Sequence, residues 1–199
     1  MISQYNYDFL KNHFGNVASW AIWREPGETP KSNMGDLSIF DDPDLLEKLN
    51  PNVVFVGLNA SGKHENYLKT EQPWFNFHSG APTSNSFKLR FALMGTALWG
   101  GYITDIIKFY KEADSTSVGR FIKQHPEIVK ENISIFREEL SLLNDRPLLI
   151  ALGGKSYELL KEHLADKYQI EKMTHYSAQF SYRDIYPREV AEILSRMGK

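Results

Sequence analysis

The sequence contains no cysteine among its 199 residues. This absence excludes disulfide bonds, a thiolate nucleophile and any zinc site built on thiolates, and it is compatible with a reducing compartment. The six histidines do not occur at the spacings that are typical of metal ligands, such as His-x-x-His or His-Glu-x-x-His. We therefore expect neither a metal nor a cofactor.

Long apolar segments and a strong excess of basic charge are also missing. No apolar run approaches the roughly 20 residues of a membrane span, and the first residues lack the basic region and apolar stretch of a signal peptide. The net charge of -2 does not indicate a nucleic-acid partner for the molecule as a whole. We expect a soluble, cytoplasmic protein in which a local patch would have to hold any nucleic acid.

The length and the hydrophobic pattern predict one α/β domain over residues 1–199, with an N-terminal helical arm at 5–14 and 17–23. Strands alternating with amphipathic helices are typical of a parallel sheet that is covered on both faces. The predicted fold is a three-layer α/β/α arrangement around a central parallel four-stranded sheet. The predicted strands are 53–56, 102–107, 147–152 and one ending at 173–175, and the predicted helices are 86–99, 126–143, 155–164 and one that Pro187 opens.

Two polar segments follow predicted strands at opposite ends of the chain. The first is Gly57-Leu58-Asn59-Ala60-Ser61, after the apolar run 53–56, and the second is 175–183. Ligands of open parallel sheets bind beyond the carboxyl ends of the strands. The sequence therefore predicts one pocket built from both segments.

Residues 57–63 also match the phosphate-loop pattern Gly-x-x-x-x-Gly-Lys. However, His64 stands where a serine or threonine hydroxyl should hold magnesium, and the following segment runs towards Pro73 instead of forming a helix. A nucleotide triphosphatase is therefore the less favoured hypothesis, and Lys63 is interpreted as a solvated loop residue.

Several motifs occur in an order that carries a family resemblance. They are Gly57 to Ser61, the aromatic segment Phe75 to His78, the segment Tyr102 to Lys108 around Asp105, the turn and helix Leu149 to Leu159, and His175-Tyr176-Ser177-Ala178 followed by Tyr182-Arg183. In this order the chain, from about Val53 to Arg183, resembles the uracil-DNA glycosylase superfamily. The resemblance implies hydrolysis of the N-glycosidic bond of a flipped base, with DNA or another nucleic acid or nucleotide as the partner.

The resemblance also implies a role for each motif. Asn59 would position the water that attacks the sugar, and His175 would stabilise the negative charge on the departing base. The implied base- or phosphate-binding residues are Gly57, Leu58, Ser61, Phe75, Phe77, Asp105, Ser177 and Gln179. Several candidates keep a structural alternative. It is a strand-end bond for His175, a turn for Asn59, core packing for the two phenylalanines, and bonds to loop amides without any contact to a base for Asp105.

Departures from the family pattern keep a second hypothesis open. Ala60, Tyr176 and Ala178 replace prolines, and Asp105 stands where the family has an amide that reads the base. An ionised carboxylate only accepts hydrogen bonds, which disfavours uracil and suits a guanine-like edge with two adjacent donors. The alternative function is a non-catalytic nucleic-acid or nucleotide-binding module of the same fold.

Overall fold

The computed structural model describes residues 1–59, 72–108, 110, 112 and 114–197. Within them the chain forms an α/β protein with a five-stranded sheet and seven α-helices. The strands are β1 (Ser19–Trp20), β2 (Asn50–Asn59), β3 (Gly101–Ile107), β4 (Leu148–Leu152) and β5 (Ile170–Met173). The helices are α1 (Gln4–Phe14), α2 (Leu45–Lys48), α3 (Phe87–Leu93), α4 (Ser115–Gln124), α5 (Pro126–Ser141), α6 (Gly154–Leu164) and α7 (Tyr182–Arg196).

The sheet has the order β1-β3-β2-β4-β5, in which β2 to β5 run parallel and β1 pairs antiparallel with β3. The prediction of four strands is therefore wrong by one edge strand. The predicted helical character of 17–23 is wrong for the same reason, because Ser19 and Trp20 pair with Ile103 and Tyr102. A two-residue strand is too short for hydrophobic alternation to reveal it.

Both faces of the sheet are buried, as the continuous apolar run in β2 indicated. Val54 and Val56 belong to the core cluster under α1, α5 and α6, whereas Val53 and Phe55 belong to the cluster under α3 and α7. This arrangement is a three-layer α/β/α sandwich. None of the helices in the described part of the chain is long and apolar enough to cross a membrane.

The predicted helix at 126–143 is confirmed as α5, but two other boundaries differ. Helix α3 ends at Leu93, before Gly95, because that glycine takes a φ of +74°, a conformation that a right-handed helix does not contain. Helix α7 begins at Tyr182, so Pro187 lies inside it and not at its start. Pro187 is the sixth residue of this helix, just after its first turn, and because it has no N–H the helix lacks the backbone bond to the Arg183 carbonyl there.

The order of the strands creates a crevice at the carboxyl edge of the sheet. The chain passes from β2 to β3 on one side and later enters β4 on the other side of β2. Such a reversal of direction leaves a gap between the two connections, above the ends of β2 and β4. The described residues of the two polar segments, 57–59 and 175–183, lie at this edge.

Candidate functional site

The ends of β4 and β5 place His175 at the carboxyl edge of the sheet. The N–H of Gly153, directly after β4, donates to the Met173 carbonyl at 2.9 Å. A Cβ atom on Gly153 would lie 3.4 Å from the Cβ of His175, and its φ of +98° suits glycine. The segment after β5 therefore packs directly on the turn after β4, and β4 is the strand next to β2.

The His175 ring is held in one tautomer by Ser177. Its Nδ1 atom lies 2.7 Å from the Ser177 hydroxyl and 3.2 Å from the Ser177 backbone nitrogen. A backbone N–H can only donate, so Nδ1 is the acceptor and Nε2 carries the proton. Burial, with the positive charge of Lys88 adding to it, lowers the pKa of His175 to about 4. The imidazole is therefore neutral near pH 7 and offers Nε2–H as its donor.

Lys88 on α3 is a site residue that the sequence analysis missed. It is 8% exposed, its Nζ donates to the Ala178 carbonyl at 3.0 Å, and it lies 5.1 Å from the centre of the Phe180 ring. The Ala178 N–H in turn donates to the His175 carbonyl at 2.9 Å. Burial and the nearby charge of Lys31 lower the pKa of Lys88. A lysine in an amphipathic helix gives no sequence signal for such a position, because lysines there usually face solvent.

Asp105 in β3 faces Gly57 in β2, its partner in register. A Cβ atom at position 57 would overlap the Asp105 Oδ1 atom, so glycine leaves the room that the carboxyl group occupies. Asp105 is only 5% exposed, and burial raises its pKa to about 7. The charge of Lys108 and a hydrogen bond with Asn76 oppose this change, and Glu139 adds to it. The carboxyl group therefore exists in both protonation states near neutral pH.

A buried ion pair fixes the end of β3 that carries Asp105. The side chains of Lys108 and Glu139 are fully buried and in direct contact. Glu139 Oε1 accepts from the Tyr102 hydroxyl at 2.8 Å and from the Thr104 hydroxyl at 3.1 Å. Lys108 Nζ donates to the Asp105 carbonyl at 2.9 Å. Both charges thus have several polar partners, which is the condition under which such a pair is tolerated in a core.

Asn59 lies at the end of β2 and is half-buried. Its amide nitrogen donates to the carbonyls of Tyr110, at 3.2 Å, and Glu112, at 2.8 Å. These bonds tie the β2 end to the segment that follows β3 and fix the orientation of the amide. Leu58 is also half-buried and packs against the core on the α5 side.

The two predicted stacking residues differ in burial. Phe77 is 6% exposed and belongs to the core cluster under α3 and α7, which matches the structural alternative that the sequence left open. Phe75 is half-buried. The intervening Asn76 donates to the Val17 carbonyl at 2.7 Å, so the segment is anchored between the two phenylalanines. Phe75 is therefore the more exposed of the two aromatic candidates.

The remaining candidates occupy exposed or undescribed positions. Ser177 and Gln179 are exposed. Ser61 lies outside the described residues, as does Lys63, so the phosphate-loop hypothesis stays a prediction. No group of three histidine or acidic side chains in the described ranges could hold a metal ion.

A cavity of about 540 Å³ lies near the opposite, amino-terminal edge of the sheet. Its lining includes Trp23, Arg24 and Trp99, and it contains none of the predicted site residues. The candidate site is therefore a polar crevice separate from this cavity.

This chain has no significant match among protein-family models, curated proteins or solved structures.

Proposed function

We propose that this chain is a divergent DNA glycosylase with a uracil-DNA glycosylase-like fold, which hydrolyses the N-glycosidic bond of a flipped, damaged or deaminated base. The observation that carries the proposal is the His175 ring. Its Nδ1 atom is taken by Ser177, and its pKa of about 4 leaves a neutral imidazole with Nε2–H as a donor at the carboxyl edge of the sheet. A neutral imidazole can polarise an oxygen without giving up its proton.

His175 stabilises the leaving base in this mechanism. When the bond from sugar to base breaks, the electron pair moves onto the base and negative charge builds on a carbonyl oxygen of its ring. A preorganised donor at that oxygen lowers the barrier by roughly 3–4 kcal/mol.

Asp105 reads the edge of the base in this proposal. In its protonated form it has one donor and one acceptor, like the amide at that position in the family it resembles, and it can match adjacent carbonyl and N–H groups. In its ionised form it accepts only, and it matches two adjacent donors. The raised pKa makes both forms available near neutral pH.

Asn59 keeps the role of positioning the attacking water, with its amide oriented by the carbonyls of Tyr110 and Glu112. An amide does not take up a proton as a carboxylate does, so water activation is the weakest step of the mechanism. This property favours the second candidate function, a non-catalytic module that binds nucleic acid or nucleotides in the same crevice.

Base release from defined oligonucleotides tests the proposal. Single- and double-stranded substrates would carry uracil, hypoxanthine, xanthine or other damaged bases, and His175→Ala would be compared with the wild-type protein. We expect release to fall by roughly 100-fold or more while DNA binding persists. His163→Ala is the matched control, because His163 lies on α6 nine residues after the first residue of that helix, about 14 Å further along its axis.

The outcomes separate the two candidates. Release that depends on His175 and not on His163 supports the glycosylase. DNA binding without release from any substrate favours the non-catalytic module. Equal release by wild type and His175→Ala contradicts the role given to His175.

A further inference from the structure

Lys88 is a nucleophilic group that the proposed hydrolysis does not require. Lys88 on α3 is only 8% exposed as a residue, and its amine is not paired with a carboxylate in any described contact. Its polar contact is the Ala178 carbonyl, and the Phe180 ring lies beside it. Lysines that lie in apolar surroundings or beside a second cation, here Lys31, become nucleophiles towards carbonyl compounds.

We propose that Lys88 captures the aldehyde of an abasic sugar as an imine at the site beside His175. This inference rests on the proposed function, since the ring-opened sugar left after base release carries an aldehyde at its C1′ carbon. The hydrogen bonds from Lys88 to Ala178 and from Ala178 to His175 place the amine in contact with the turn that carries His175.

The geometry leaves the amine able to react. A neutral lysine amine has two N–H groups and one lone pair, and one N–H suffices for the bond to the Ala178 carbonyl. The lone pair forms the new C–N bond at C1′, and the carbonyl oxygen leaves as water with two protons from the amine. Protonation of the product gives an iminium ion, and water reverses the reaction. Burial favours the neutral amine, so capture should persist to lower pH than it would at an exposed lysine.

Trapping with sodium cyanoborohydride tests this inference. The full-length protein would be incubated with an oligonucleotide that already contains an abasic site, so the test does not depend on base release. Hydride adds to the iminium carbon and leaves a stable secondary amine that gel electrophoresis and peptide mass mapping detect. We expect a covalent adduct on Lys88 in the wild-type protein, and at least about a tenfold loss of adduct in Lys88→Arg, which keeps the charge and the donor but not the nucleophile.

Lys172→Arg is the matched control. Lys172 also lies over an aromatic ring, at 5.7 Å from the centre of Tyr157, but it is exposed. Its substitution should leave trapping within about twofold of wild type. Mapping of the wild-type adduct gives an answer even where Lys88→Arg folds poorly.

The results distinguish this inference from the proposed function. An adduct on Lys88 in a protein that releases no base supports the capture of aldehydes and contradicts the hydrolysis. Base release without any adduct on Lys88, or an adduct mapped to another amine, overturns the inference, and Lys88 then only anchors the 175–178 turn.

Discussion

Replacing Asp105 by asparagine has an effect on stability that follows directly from the structure. Burial raises the pKa of Asp105 from 3.8 to about 7. The folded protein therefore keeps this proton up to about pH 7, whereas the unfolded chain releases it near pH 4. Since the folded state binds more protons across that interval, the free energy of unfolding falls as the pH rises. The fall is about 1.4 kcal/mol for each pH unit and about 4 kcal/mol in all, and it levels off above pH 7.

Asparagine keeps an oxygen for the hydrogen bond with Asn76 and has no proton to lose. Urea unfolding of both proteins between pH 5 and pH 8.5 should give similar stabilities near pH 5 and an increasingly more stable Asp105→Asn protein as the pH rises. The difference between the two proteins isolates this group, because buried histidines with lowered pKa values, such as His78 and His175, contribute equally to both. Asp166→Asn, at an exposed carboxylate on the surface, is the control and should show no such trend. A stability difference that does not change with pH would refute the assignment.

The protonation state of the Asp105 carboxyl group should also determine which base the protein prefers. At pH 6 the protonated carboxyl group offers a donor and an acceptor, so wild-type protein should favour bases with an adjacent carbonyl and N–H. At pH 8 the ionised group favours two adjacent donors, and a mismatched base should lose roughly 1–3 kcal/mol of binding free energy. Asp105→Asn should keep the preference of pH 6 throughout, and base release measured at both pH values checks this.

Two further substitutions test the packing around Asp105. Gly57→Ala should lower the free energy of unfolding by roughly 1–3 kcal/mol and impair base release, because the new methyl group overlaps Asp105 Oδ1. Gly154→Ala, where a Cβ atom has no neighbour within 4 Å, should change stability little in the same urea titration. Glu139→Gln leaves Lys108 charged and unpaired in the core and should cost roughly 3–5 kcal/mol, much of which Lys108→Met in the same chain should restore. A single Glu139→Gln protein as stable as wild type would show that the pair carries no buried charge.

Repetition of hydrophobic patterns explains which parts of the fold could be predicted. The apolar runs of β2 and β4 and the helical repeat of α5 each extend over at least four residues, and the structure has strands and a helix at these positions. The edge strand β1 has two residues and depends on pairing with Tyr102 and Ile103, about 80 residues away. The start of α7 depends on the end of the 175–181 turn and not on Pro187. A contact that is distant in sequence decided the edge strand, and local propensity does not report such contacts.

The order of the motifs predicted which residues form the candidate site. The burial of each side chain, which the motifs do not indicate, determines its exposure and its protonation state. Phe75 and Phe77 lie in the same aromatic segment of the sequence, which does not distinguish them. In the structure Phe77 is buried in the core and Phe75 is half-buried. Lys88 alternates with apolar neighbours like any solvated lysine of a helix, and only the fold shows that its amine contacts the Ala178 carbonyl. The motifs therefore indicated which residues are candidates for the site. The protonation states and the exposure of those residues follow only from the three-dimensional structure.

In this structure the pKa of Asp105 is higher than the pKa of His175, the reverse of the usual order for an aspartic acid and a histidine. Ordinarily an aspartic acid loses its proton well before a histidine does. Here burial raises the pKa of Asp105 to about 7 and lowers that of His175 to about 4, so between these values both side chains are uncharged. Two groups with pKa values moved by their surroundings are typical of sites with distinct proton roles. Lys88 lies close enough to His175 for its positive charge, when the amine is protonated, to contribute to the lowered pKa of His175. In the proposed hydrolysis, an uncharged Asp105 and a neutral His175 donor would favour the departure of a base as an anion over the binding of an anionic substrate.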